Sequence, residues 1–125
     1  MNSRTVIKQT LEAGLDDWIY LDEIVGIVRG HDPDLTGQSL VMTVLDVVRF
    51  VLDHDLMQVG EIPNGFVPWN LTTAQALSRV EAEWQPPGRE LTISDICWLA
   101  STPAGDRLAE SWDELAPEYF EATNE

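Results

Sequence analysis

The chain has 125 residues, 44% of them hydrophobic, with 22 Asp+Glu against 7 Lys+Arg and a formal net charge of −15. That length suits one domain with a single core and removes the need for disulfide or metal staples. Such an acidic balance repels phosphate backbones and anionic lipid, and it speeds encounter with cationic proteins.

Residues 4–14, "RTVIKQTLEAG", predict a first helix with Val6, Ile7 and Leu11 on one face and Gly14 as its stop. Trp18, Ile19 and Tyr20 suit a short extended piece. Leu21 to Arg29 then reads as a helix, with Leu21, Ile24, Val25 and Val28 at helical spacing and Gly30 ending it. "HDPDLTG" is a turn, in which Asp34 or Thr36 can cap the next helix. From Gln38 to His54 runs the longest pattern. Its apolar stripe is wide, and Asp46, Arg49 and Asp53 fall on the other face, so helix is preferred over strand despite the valines.

The stretch from Leu56 to Glu61 alternates as a strand does, and Pro63-Asn64-Gly65 signals a turn. "TTAQALSRVEAEW" predicts a helix capped by Thr72 or Thr73, with Ala76, Leu77, Val80 and Trp84 buried. "LTISDICWLA" (91–100) reads as a second strand region. Thr102-Pro103 opens a last helix, Thr as cap and Pro in the first turn. The division is one domain over 1–111 and an acidic C-terminal tail over 112–125, which Trp112, Leu115, Tyr119 and Phe120 can dock. The expected fold class is α+β, mostly helical, with a two- or three-stranded sheet.

No nucleophile elbow, phosphate loop or Cys/His pairing is present, so the chain is not read as an enzyme, and no cofactor or metal is expected. "HDPD" (His31, Asp32, Asp34) and "DHD" (Asp53, His54, Asp55) lack the spaced histidine pair of a zinc helix and read as a solvated turn and a helix end. Cys97, the single cysteine, sits between Ile96 and Trp98 and reads as a small buried hydrophobe. No apolar run reaches the roughly 18 residues of a membrane span. The first residues lack a signal-peptide pattern, so the expected compartment is the cytoplasm and no membrane is implied.

Five tryptophans are present, and pattern assigns Trp84 and Trp98 to the core. Trp69, after "GFVP", and Trp112, at the head of the acidic tail, are the expected exposed anchors for a partner. Residues 91–125 hold eight acids and one base, Arg107. The candidate partner-binding set is therefore Trp69, Trp112, Asp113, Glu114, Glu118, Asp46 and Asp53, facing a basic protein. A homodimer seam along the final helix and tail is a second use of the same apolar faces.

The order of helix, short extended piece, two helices, strand, inserted helix, strand and helix resembles a winged-helix domain. "WLASTPAGDRLAE" is similar to the strand, Thr, two residues, Gly, helix ending of winged-helix regulators. The resemblance implies that Gln38–His54 takes the recognition position, with Gln38, Arg49 and Arg89 as DNA contacts. It also implies a wing that here carries an extra helix near residues 72–84. One or two cations on an acidic chain fall short of the several phosphate contacts that DNA binding needs, so nucleic acid is not the expected partner. In "GLDDW" and "DICWLASTPAGD" the chain looks like actinobacterial immunity-type proteins, small acidic inhibitors of basic toxins. The expected function is thus a non-enzymatic acidic protein-binding module; the alternative is a winged-helix transcription regulator binding DNA as an oligomer.

Overall fold

A computed structural model describes residues 3–62 and 64–120. Among them the chain is α+β and mostly helical, with six helices and one four-stranded antiparallel sheet. In chain order the elements are α1 (Ser3–Ala13), β1 (Ile19–Tyr20), α2 (Leu21–His31), α3 (Gly37–Asp53), β2 (Met57–Glu61), β3 (Val67–Pro68), α4 (Thr73–Glu83), β4 (Trp98–Ser101), α5 (Pro103–Glu110) and α6 (Trp112–Phe120). No helix of the described residues is long and apolar enough to cross a membrane.

The strand order is β1-β4-β2-β3. Ile19 lies opposite Leu99, and Leu99 opposite Val59. All three are buried against the helices. The neighbouring row, Tyr20, Trp98, Gly60 and Pro68, must point to the sheet's other side, because successive residues of a strand alternate. Helix α3 is the centre of the core: Leu40, Val41, Val44, Leu45, Val47, Val48 and Val51 are buried. It packs against α1, α2, α4 and β2. Its solvent stripe is Met42, Asp46, Arg49 and Asp53, as the periodicity predicts.

Local chemistry sets the boundaries. Helix α2 runs through Gly30 to His31, two residues further than the glycine suggests. Pro33 is the effective stop, because a residue before proline is pushed out of the helical region; Asp32 sits at φ −141° and ψ 84°. Thr36 occupies the N-cap of α3 without a side-chain cap bond. Thr72 caps α4 in a reciprocal box: its hydroxyl accepts from Gln75 N at 3.1 Å, and Gln75 Oε1 accepts from Thr72 N at 3.0 Å. Thr102 caps α5 by accepting from Gly105 N at 3.1 Å.

Two expectations are corrected. The sheet has four strands rather than two or three, because Val67–Pro68 pairs with Gly60 and Glu61 of β2. A proline argues against a central strand, but β3 is an edge, where its missing N–H costs no ladder bond. The second strand region is also shorter, starting at Trp98 rather than Leu91. Asp95 folds the preceding residues into a turn by accepting from Thr92 N at 2.8 Å and from the Thr92 hydroxyl at 3.1 Å. Ile96 then takes a left-handed φ of 69°, costly for a β-branched residue and incompatible with a strand. Residues 112–120 of the C-terminal tail form α6; 121–125, with Glu121 and Glu125, lie outside the described residues.

Candidate functional site

The expected partner-binding residues lie in three parts of the fold: Trp69 after β3, Asp46 and Asp53 on α3, and Trp112, Asp113, Glu114 and Glu118 on α6. Trp69 is half-buried rather than exposed. Its backbone N–H donates to Val59 O at 3.0 Å, which turns the ring to the core side, and the Arg79 guanidinium covers it at 3.9 Å. Trp112 is also half-buried, packed against Phe120 at a centroid distance of 5.6 Å. Phe120 in turn stacks on Phe50 at 4.9 Å. The acids of α6 (Asp113, Glu114 and Glu118) are exposed, and Asp113 and Glu114 line one cleft with Trp112, beside Lys8. Asp46 is held by Arg49 at 2.7 Å, and Asp53 is exposed at the far end of α3.

The candidate DNA contacts are engaged with acids. Arg49 pairs with Asp46, Gln38 donates to Glu81 at 3.3 Å, and Arg89 lies 3.5 Å from Asp95. Arg89 also donates to the carbonyl oxygens of Glu83 and Glu90. Helix α4 packs against α3.

The two histidines serve local structure. His31 shares a hydrogen bond of 2.8 Å with Gln9 Oε1. His54 Nδ1 lies 3.0 Å from Phe50 O, its ring 4.2 Å from that of Phe50. No cluster of three or more potential metal ligands occurs among the described residues. Cys97 is buried, and burial pushes its thiol up to about 12.

What the fold does assemble is an aromatic surface on the solvent side of the sheet. Tyr20 and Trp98 meet edge to face across β1 and β4 at 5.4 Å. Trp18, at 39% the most exposed tryptophan, meets Phe66 at 6.1 Å. The backbone of Val67 and Pro68 closes over the bare α-carbon of Gly60, beside Phe66. Next to Trp18 opens a cleft of about 330 Å³ between the loop after α1 and the start of α5. Asp16, Asp17 and Asp106 line it, together with Ala100 and Ser101 of β4. Asp17 Oδ1 accepts from Trp18 N at 2.8 Å, and Asp106 Oδ1 is buried without a hydrogen bond from the protein.

Charge follows the same geography. Residues 9–28, 50–78 and 90–106 contain all four strands and no lysine or arginine. Every cation lies on a helix or, for Arg89, in the loop after α4. The segments of the aromatic face therefore carry acids and no cation of their own, while Arg79 of α4 reaches Glu61 at 3.5 Å.

No protein-family model matches the chain, and no curated protein or solved structure matches it either.

The position of Trp98 is set by strand alternation. The run Ile96–Ala100 looks uniformly apolar, so Trp98 reads as core. Alternation within a four-residue strand puts Leu99 inside and Trp98 outside, and that signal was present in the order of the residues.

Proposed function

We propose that the chain is a non-enzymatic acidic binding module of the inhibitor or immunity type, acting in the cytoplasm on a basic protein partner. The observation that carries this reading is the aromatic sheet face set in strand segments without lysine or arginine. Aromatic rings give contact area at low entropic cost, and surrounding acids steer a cationic partner and select against an anionic one. A winged-helix-like scaffold accounts for the element order and for the position of β4 between β1 and β2. In that scaffold α3 would be the reading helix. Its solvent stripe carries two carboxylates and one arginine, already paired, which favours a protein partner over a duplex.

The test is capture from native lysate at low salt, with a rising salt gradient and detection by mass spectrometry and nucleic-acid stain. A basic protein that then rebinds in purified form, with one defined stoichiometry, is the expected result. Retention of duplex DNA in a sequence-dependent manner, lost on Arg49→Ala, would overturn the reading in favour of a regulator.

A further inference from the structure

We infer that the partner docks on the solvent face of the sheet and inserts an arginine side chain into the cleft between Trp18 and Asp106. This rests on the reading of the chain as a module for basic proteins, and it fixes where and through which chemistry the contact is made.

Three observations converge on arginine. First, the face offers rings with free area: Trp18 is 39% exposed, Tyr20, Phe66 and Trp98 are half-buried, and the rings meet in two pairs, Trp18 with Phe66 and Tyr20 with Trp98. Second, the cleft beside Trp18 is lined by three carboxylates, and among the described residues none of them is in an ion pair. Asp106 brings a buried oxygen that accepts nothing from the protein, a position at which a charge-assisted donor gains most. Third, the molecule uses the same chemistry internally. Arg79 lies 3.9 Å over Trp69 and pairs with Glu83 at 2.8 Å; Arg4 lies 5.0 Å over Phe120. Among the described residues no cation of the chain takes that place over Trp18. A guanidinium can stack on the indole face and still direct its N–H fork at carboxylates, which the compact ammonium of lysine cannot do.

Charge complementarity sets the rest of the occupant. A segment on this face meets the acids of the loop before β1 (Asp16, Asp17) beside Trp18, and at the end of β2 it meets Glu61, which Arg79 approaches at 3.5 Å. It should therefore be an extended basic segment with apolar residues between the arginines, the aliphatic side chains lying on Tyr20 and Trp98.

The experiment uses the full chain and a fluorescein-labelled octapeptide of alternating arginine and valine, followed by anisotropy at near-physiological ionic strength. Assigned amide and indole NMR signals locate the contact. Saturable binding is expected, with shifts at Trp18, Tyr20, Phe66 and Trp98, and weaker binding of the alternating lysine-valine peptide. Trp18→Ala and the pair Asp16→Asn with Asp106→Asn should each weaken the arginine peptide by about tenfold or more. The pair Asp113→Asn with Glu118→Gln removes the same charge from α6 and should change affinity by less than about twofold. Equal loss in both pairs, or shifts confined to α6, would overturn the sheet-face inference and leave the basic-partner reading standing. No saturable binding of the arginine peptide by the native chain would also overturn the inference; the basic-partner reading would then stand or fall on the capture experiment alone.

Discussion

The Thr102 hydroxyl joins α5 to the approach of β2: it donates to Asp55 O at 2.6 Å while accepting from Gly105 N at 3.1 Å. Asp55 precedes β2 and Gly105 belongs to α5, so one side chain caps the helix and fastens it to the start of the central strand. Thr102→Ala should destabilise by about 1–2 kcal/mol, and Thr102→Val by a similar amount, because the methyl groups replace neither bond. Thr102→Ser should recover most of the loss. Urea unfolding of the three variants checks this.

Gly60 is where β3 closes on β2. A Cβ there would collide with the backbone of Val67 and Pro68, which cannot swing away as a flexible side chain could. Gly60→Ala should cost about 1–3 kcal/mol, and it should also shift Phe66 relative to Trp18, changing the aromatic face. Gly26, inside α2, is the counter-case, with nothing within 4 Å of an added Cβ. Gly26→Ala should stabilise by about 0.5–1 kcal/mol through helix propensity. Opposite signs in thermal unfolding are the expected result.

These contrasts show what the sequence could and could not reveal. Helix α3 was legible because a seventeen-residue apolar stripe with acids opposite has one solution. Thr72 and Thr102 were legible because capping is local chemistry. The candidate site was not legible, since it depends on register. Tyr20 and Trp98 come from segments far apart in the chain and become neighbours only when β1 pairs with β4. Trp69 was misplaced for a related reason: its loop context suggests exposure, but a ladder bond to Val59 turns it inward. Trp112 looks like a tail residue until α6 forms and stacks Phe120 on Phe50.

Trp84 fastens the loop after α4. It is fully buried, and its indole N–H donates to Arg89 O at 3.0 Å. Trp84→Ala should cost about 3–5 kcal/mol, the usual penalty for emptying a large aromatic site. Trp84→Phe keeps most of the apolar contact but strands the Arg89 carbonyl, so about 1–3 kcal/mol is expected. The fraction of tryptophan emission that is blue-shifted should fall in both variants, and the Arg89–Asp95 pair should loosen, seen as faster exchange of the Arg89 amide, which donates to Pro86 O at 3.1 Å.

Acid and alkali should attack different places. Asp95 is held below its ordinary value, first by the Thr92 backbone N–H; partial burial opposes this, and the Thr92 hydroxyl and Arg89 add to it. A depressed folded value means that its contribution is complete above the ordinary aspartate range and is lost as pH falls through the folded one. Asp95→Asn should therefore flatten part of the acid limb of the stability curve and leave the alkaline limb alone. Cys97 behaves in the opposite sense. Burial, with Glu83 adding to it and Arg79 opposing, raises its thiol from 9.0 to about 12. The unfolded chain releases this proton first, so stability should decline as pH rises from about 9 toward 12. Cys97→Ala should remove that slope at the cost of a small cavity. In the native chain at pH 8 the thiol should resist a disulfide reagent and react fully only in denaturant. Fast labelling of the native protein would mean that the start of β4 and the turn before it open far more readily than their packing implies.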